Sequence, residues 1–330
     1  MEHGSTSQQH SCCTPDRTVA VAESAFATQE EDVASALEGA GCALTRPGMA
    51  YVPGGTFLMG TDDREGFPED GEGPVREVEV RPFWIDKRAV TNAQFAAFVQ
   101  TTGYRTEAER FGWSFVFHLL LAPRAHAHVV GVSAPARWWL GVKGACWKHP
   151  EGPGSNLRGR ENHPVVHISW HDAQAYCRWA GTRLPTEAEW EFAARGGLVQ
   201  KRFAWGDELE PDGMHMCNVW QGHFPDVNTA EDGYVGTAPA GAFAPNGYGL
   251  YNMCGNVWEW CQDWFSATYH IHAPRDNPQG PRSGEAKVVR GGSYLCHRSY
   301  CNRYRVAARS ANTPDSSTGN LGFRTVRDAN

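Results

Sequence analysis

The residues of this chain best placed to do chemistry lie in one run, Arg290-Gly291-Gly292-Ser293-Tyr294-Leu295-Cys296-His297-Arg298-Ser299-Tyr300-Cys301-Asn302-Arg303-Tyr304-Arg305. A regular helix would turn Cys296 and Cys301 about 140° from each other. A regular strand would send them to opposite faces. The two sulfurs meet only if the chain turns between them. Such a turn has three uses. It can close a structural disulfide. It can supply half of a zinc site, which needs two further ligands. It can hold a soft ion such as Cu(I) between two thiolates, open to a third sulfur. His297 is too close to Cys296 in sequence for easy shared chelation, and no second cysteine pair stands at zinc-finger spacing. Two unrelated buried thiols are the fourth reading. Arg290, Arg298, Arg303, Arg305 and Arg309 crowd the same stretch. Pointing inward they would favour thiolates; for most of them, pairing with acidic loops is the expectation. Ser293 can orient an oxygen or a thiol by a hydrogen bond, or simply make a turn.

A second cluster offers oxygen ligands. Asn218-Val219-Trp220-Gln221-Gly222, Asn228 to Tyr234, and Asn252-Met253-Cys254-Gly255-Asn256-Val257-Trp258-Glu259 combine Asn, Asp and Glu with glycine-freed carbonyls. These suit a hard cation such as Ca²⁺, without EF-hand spacing. The plain reading of the same residues is a set of Asx turns.

The elements that position these groups are short. Met49 to Gly60 reads as two strands around Pro53-Gly54-Gly55, and Asp62 to Pro74 as an acidic loop. Arg76 to Ile85 alternates like a half-buried strand. Thr91 opens a helix with Phe95, Phe98 and Val99 on one face, stopped by Gly103. A second helix covers about 171 to 180, with Cys177 in its apolar stripe. A third starts at the capping box Thr186-Glu187-Ala188-Glu189 and ends at Gly196-Gly197. Beyond 200 the chain is mostly turns and short strands. Residues 1–47 are polar and read as a flexible tail. Within it Ala20 to Leu37 could form a short helix, and His3, His10, Cys12 and Cys13 could bind metal adventitiously.

Composition agrees with a loop-rich globular domain. The 330 residues carry 36 Gly, 20 Pro and 13 Trp, and are 20% charged. That excludes a disordered chain and disfavours a helical bundle. The net charge of −7 disfavours a nucleic-acid binder. Gly247-Tyr248-Gly249 is not a phosphate loop. The most apolar stretch, Phe115 to Ala122, is broken by His118 and falls short of the roughly 20 residues a membrane span needs. The start of the chain does not read as a secretory signal. Ten scattered cysteines in a long chain read mostly as buried free thiols. A cytoplasmic, reducing compartment is the expectation, with no membrane partner.

At this point the residues resemble a known family. Gly291 to Cys301, followed by Ala307-Ala308-Arg309-Ser310 and Asn320-Leu321-Gly322-Phe323-Arg324, is similar to the C-terminal signature of formylglycine-generating enzymes, the sulfatase-modifying factors. The likeness continues through Trp147 to Pro153, Arg183-Leu184-Pro185-Thr186-Glu187-Ala188-Glu189-Trp190-Glu191 and Asn246 to Leu250, and covers about 48–327. The resemblance implies an α+β fold, a single irregular, loop-rich domain over 48–330 related to the C-type lectin fold, with few short helices and short antiparallel strands. It implies an oxidase that uses O₂ to convert a cysteine in a Cys-x-Pro-x-Arg-like motif of an unfolded sulfatase polypeptide into Cα-formylglycine, with an external thiol as reductant. By resemblance Cys296 and Cys301 hold Cu(I), the substrate thiolate joins as third ligand, and O₂ reacts there. Ser293 and Tyr300 are carried over as active-site residues, and Trp258 as a pocket wall or core residue. Two structural Ca²⁺ sites are implied: Asn218 and Asp232 with carbonyls of Val219 and Tyr234, and Asn252 and Glu259 with carbonyls of Gly255 and Val257.

The chain also departs from eukaryotic members. Ala194, Val306 and Thr325 stand where disulfide partners are expected, so Cys177 would be unpaired and a bacterial type is favoured. Cys254 and Cys261 have no role in this reading. His149, His163, His167 and His171 read as core or surface histidines rather than an iron site. A calcium-stapled, non-catalytic lectin-like binding module is the alternative, and a zinc-stabilised structural domain a third.

Overall fold

The computed structural model describes residues 14–17 and 47–329. The helix expected over 20–37, and His3, His10, Cys12 and Cys13, lie outside the described residues. Thr14 to Arg17 depart from the tail reading: Thr14 and Pro15 are buried against the domain, and Asn312 Nδ2 donates to the Pro15 carbonyl over 3.3 Å.

Four short helices form where the caps demand. α1 (Asn92–Thr102), α2 (Glu107–Phe111), α3 (Trp170–Ala180) and α4 (Glu187–Arg195) each start at a reciprocal capping box, from Thr91, Thr106, Ser169 and Thr186. Each satisfies two amides that the first turn leaves without partners. A left-handed glycine ends every one: Gly103, Gly112, Gly181 and Gly196. Only the box at Thr186 was legible in advance; those at Thr91, Thr106 and Ser169 use Gln94, Glu109 and Asp172 in the same reciprocal way.

The strands make several small sheets. β1 (Met49–Val52), β4 (Phe83–Asp86) and β14 (Val326–Asp328) form one, in the order β1-β4-β14. β2 (Gly55–Met59) pairs with β3 (Arg76–Val80). The strands either side of Pro53-Gly54 therefore pair with different partners, and the run 76–85 divides at Arg81-Pro82, where proline supplies no ladder N–H. β5 (Trp113–Phe117), β6 (Val129–Val132) and β7 (Trp139–Lys143) form a third sheet, ordered β5-β7-β6. β8 (Gly222–His223) and β9 (Val227–Asn228) make a two-residue ladder. The sheet behind the site is β12-β11-β10-β13, from β10 (Trp258–Trp264), β11 (Lys287–Arg290), β12 (Arg309–Asn312) and β13 (Leu321–Gly322). Most pairings are antiparallel as expected; β10 with β13 is parallel.

The main core gathers Val52, Phe83, Phe95, Phe98, Trp190, Trp258, Trp260 and Phe323. A smaller cluster of Phe115, Phe117, Trp139, Trp220, Tyr294 and Leu295 lies beside the cysteine-bearing run. Among the described residues no helix is long and apolar enough to cross a membrane.

Candidate active site around Cys296 and Cys301

A buried ion cluster fixes where the run 290–305 begins. Arg290 Nη1 donates to Glu187 Oε1 over 2.9 Å and its Nη2 to Glu191 Oε2 over 2.6 Å. Arg309 grips both Glu187 oxygens at 2.7 Å. Burial alone would raise the Glu187 carboxyl, but Arg309 and Arg290 overcome it and hold the group well below the usual carboxylate range. Helix α4 is thereby fastened to β11 and β12. Breaking one partner out of such a buried cluster costs about 3–5 kcal/mol.

Beyond β11 the chain reverses through Gly291 and Gly292, at φ 93° and 71°. A Cβ on Gly292 would stand 2.9 Å from the Arg303 carbonyl and from Tyr304, so only glycine lets the two limbs of the run close on each other. The Cys296 amide then donates to the Ser293 carbonyl over 2.9 Å, and the His297 carbonyl accepts the amides of Tyr300 and Cys301 at 3.0 and 2.7 Å. This is the turn without which the two sulfurs could not meet. It brings the sulfurs of Cys296 and Cys301 to 3.3 Å. That is well beyond the roughly 2.05 Å of a disulfide, and both are free thiols, 2% and 1% exposed.

Ser293 and Tyr300 take the places expected of them. A small pocket over the thiols is lined by Trp138, Trp139, Phe224, Ser293, Leu295, Tyr300 and the two cysteines. Tyr300 stacks on Phe224 with centroids 4.5 Å apart and meets the edge of Trp138 at 5.0 Å. Ser293 Oγ accepts from Asn320 Nδ2 over 2.9 Å and from the Leu295 amide over 3.3 Å. The Ser293 amide donates to Cys296 Sγ over 3.3 Å. Trp138, Trp139 and Phe224 were missed, a high tryptophan count being the one signal for the first two; Asn320 was read only as part of the C-terminal signature, without a role. Trp258 is fully buried in the main core and is no pocket wall.

The arginines divide. Arg305 is bidentate to Glu72 at 2.6 and 2.7 Å, and Arg303 Nε donates to Asp70 over 2.5 Å, so these two pair with the acidic loop as expected. Arg290 and Arg309 choose helix α4 instead, and Arg298 is exposed. Arg303 Nη1 also stands 3.9 Å from Cys301 Sγ. Burial raises the Asp70 carboxyl to about 6 in spite of Arg303. Burial, and next the neighbouring thiol of Cys301, push the Cys296 thiol well up, against smaller pulls from the Ser293 amide and Arg303. Among the described residues no group of three or more His, Cys, Asp or Glu could share a metal ion.

The other described cysteines, Cys146, Cys177, Cys217, Cys254 and Cys261, are buried free thiols. Burial raises Cys177 and Cys254 to about 12 and Cys217 and Cys261 well above the ordinary value. The four histidines disperse. His167, lowered to about 4 by burial, bridges Ser114 Oγ and the Pro150 carbonyl at 2.8 Å each. His149 meets the Ser155 carbonyl, His163 the Thr237 hydroxyl and His171 Glu107.

The first oxygen-ligand set is brought together. Asp232 accepts from the amides of Val219 and Tyr234 at 3.2 and 2.9 Å, and Asn218 Nδ2 donates to the Gly236 carbonyl. Asn218 Oδ1 is buried with no donor. In the second set Asn252 Oδ1 is likewise buried with no donor. Gly255, at φ 77°, lets the loop lie against Asn218; a Cβ there would be 2.4 Å from the Asn218 carbonyl. Glu259 departs from the expectation. Arg324 holds its two oxygens at 2.6 Å each and Trp190 Nε1 donates to Oε2 over 2.7 Å. Its charge is thus shared with Arg324, and the rest of the second set is Asn252 with the carbonyls of Gly255 and Val257.

The chain is similar to known proteins over most of its length. Residues 35–329 match the sulfatase-modifying factor enzyme 1-like domain. A formylglycine-generating enzyme of Streptomyces coelicolor is 64% identical over 282 residues, covering 86% of this chain and 90% of that protein. A mouse protein named inactive Cα-formylglycine-generating enzyme 2 is 47% identical over 286 residues, 86% of each chain. The structure of PvdO from Pseudomonas aeruginosa matches with a TM-score of 0.61 at 24% identity, over 85% of this chain and 94% of that one; this likeness shows the fold alone. With the family's domain spanning nearly all of the chain, and with relatives this similar among bacteria, the chain belongs to the formylglycine-generating, sulfatase-modifying factor family, in its bacterial form.

Proposed function

We propose that the protein is a formylglycine-generating oxidase that converts the cysteine of a Cys-x-Pro-x-Arg-type motif in an unfolded sulfatase polypeptide into Cα-formylglycine. The observation that carries this reading is the pair of buried sulfurs 3.3 Å apart under a pocket walled by aromatics. A binding module has no need of two converging thiols there, and relatives named inactive make the site, rather than the fold, the deciding feature.

Cys296 and Cys301 are the residues that would hold Cu(I): two soft ligands in a dry setting suit that ion, whereas a structural zinc site wants four. When bound, the ion supplies a soft seat for the target's sulfur and a place to reduce O₂. The chain's own residues do the rest. The turn at 293–301 sets both sulfurs on one side of the backbone. Trp138, Phe224 and Tyr300 restrict entry to a narrow side chain such as cysteine and keep bulk water out. Ser293, oriented by Asn320, presents a hydroxyl beside the sulfurs. Overall, R–CH₂–SH, O₂, two electrons and two protons give R–CHO, H₂S and H₂O; two external thiols supply the electrons and protons as they become a disulfide. Reducing cytoplasm fits such a donor and the unpaired cysteines. Ca²⁺ is the cation we assign to the Asn218–Asp232 loop and, with a weaker donor set, to Asn252, because their buried amide oxygens face no donor.

The test is reconstitution with Cu(I) under thiol, then incubation with a Cys-x-Pro-x-Arg peptide in air, read by aldehyde labelling and hydrogen sulfide release. Copper near one per chain and peptide aldehyde are expected. Peptide left as thiol by copper-loaded protein would overturn the reading in favour of a binding module, and zinc near one per chain would favour the structural one. Chelation of Ca²⁺ is expected to lower the melting temperature.

A further inference from the structure

The thiol turn is held from behind by a buried residue that is no part of its pocket. Asn256 follows Gly255 in the loop before strand β10, and both are left-handed, at φ 62° and 77°. Asparagine is among the few side chains that accept this conformation. Asn256 is 1% exposed, so its polar groups need partners inside the protein. The side-chain amide pairs with the backbone of Ala238 as a neighbouring strand would. Its Oδ1 accepts the Ala238 amide over 2.9 Å and its Nδ2 donates to the Ala238 carbonyl over 3.2 Å. Oδ1 also accepts from Asn218 Nδ2 over 3.2 Å. The Asn256 amide donates to the Asn218 carbonyl over 2.8 Å.

The other side of the same residue meets the thiol run. The Asn256 carbonyl accepts the Tyr294 amide over 2.9 Å, and the Gly255 amide donates to the Gly291 carbonyl over 2.7 Å. Just beyond Tyr294, the Cys296 carbonyl accepts the Trp220 amide over 3.0 Å. These bonds close a ring: from 256 across to 218, along the chain to 220, across to 296, along the chain to 294, and across to 256 again. Cys296 belongs to this ring. Cys301 lies beyond it, on the far limb of the turn, with its amide on the His297 carbonyl. The 3.3 Å between the two sulfurs therefore depends on where the ring sets Cys296.

We propose, resting on the oxidase reading above, that Asn256 is a positioning residue of the candidate active site. By clamping the segments at 218 and 238 to the run 291–296, it sets Cys296 at the distance from Cys301 at which the pair takes Cu(I). Groups behind a metal's ligands act by orienting them, and losing one weakens metal binding about 10- to 100-fold. Asn256 does not line the thiol pocket, so its effect falls on the seat of the ion and not on entry of the target.

The experiment measures the Cu(I) affinity of the full chain, reduced and kept from air, by competition with a chromophoric Cu(I) chelator, with thermal melting alongside. Asn256→Gly keeps the left-handed backbone and removes the side-chain bonds. Its Cu(I) dissociation constant should rise about 10- to 100-fold at a temperature where parent and variant are both folded. Cys254→Ala, which weakens the core nearby, should melt earlier and bind Cu(I) as the parent does. If Asn256→Gly does not fold, Asn256→Asp takes its place; it loses only the donor to Ala238 and should weaken Cu(I) binding by about 10-fold, the low end of the same range. Unchanged affinity in whichever variant folds, or an equal loss in Cys254→Ala, would overturn this inference and leave the oxidase standing. A parent protein that takes up no Cu(I) would overturn the reading on which it rests.

Discussion

Two sets of buried cysteines in this protein have opposite prospects. Cys254 lies just before strand β10 and Cys261 within it, both in the main core, with Asp263, Glu187, Arg290 and Glu259 the charged groups that act on Cys261. Cys296 and Cys301 are as deeply buried, yet they sit on a turn, face each other and open onto a pocket. Burial alone therefore does not make a thiol reactive; it raises its pKa in both places. What separates the sets is a backbone reversal that points two sulfurs at one spot, beside a small aromatic-walled pocket.

The sharpest way to break this contrast is Cys301→Ser. It keeps the shape and removes a soft ligand, so peptide conversion should fall on the order of 10³-fold or more, with near-native melting. Retained turnover would return the pair to the class of Cys254 and Cys261. Ser293→Ala comes next. It strips an acceptor from Asn320 and the Leu295 amide, a loss of about 1–3 kcal/mol, and turnover should drop about 10- to 100-fold with copper content unchanged. A drop in copper content instead would make Ser293 a scaffold for the turn.

The core set has its own signature in pH. Burial, and then the charge of Glu187, push the Asp263 carboxyl up to about 8, against about 3.9 in an unfolded chain. Between those values the folded protein holds a proton that the unfolded chain has lost, so this group makes stability fall as pH rises from about 4 to 8. Asp263→Asn should flatten that slope and gain on the parent protein at alkaline pH, as followed by denaturant midpoints. An unchanged slope would show that Asp263 is ionised beside Cys261. The smallest effect is expected of Cys254→Ala. Stability should fall by about 1 kcal/mol and activity should hold; a large loss of turnover would give the core thiols a role the geometry denies them.

How much of this was legible depended on how local the cause was. Helix α4 was readable because Thr186 and Glu189 sit three apart and cap each other. The turn between Cys296 and Cys301 was readable because no regular element could join them. The pairing of Glu259 was not legible: its partner Arg324 lies 65 positions on, and nothing near Glu259 announces it. Trp138, Trp139 and Phe224 escaped for the same reason, being brought to the pocket by sheet register and ring stacking. Thr14 to Arg17 looked like tail because polar composition says nothing about a seat built from Phe111, Trp113 and the 312–317 stretch.

The pairing of β14 with β4 joins the last described residues to the first sheet, Val326 against Ile85 and Asp328 against Phe83. Arg303 and Arg305 reach back in the same way to Asp70 and Glu72, each across 233 positions. During synthesis the early half of the chain must therefore wait on the ribosome for partners not yet translated. Without β14 the first sheet would lack its third strand, and the acidic loop gains its arginine partners only once the run that carries the thiol turn has been made.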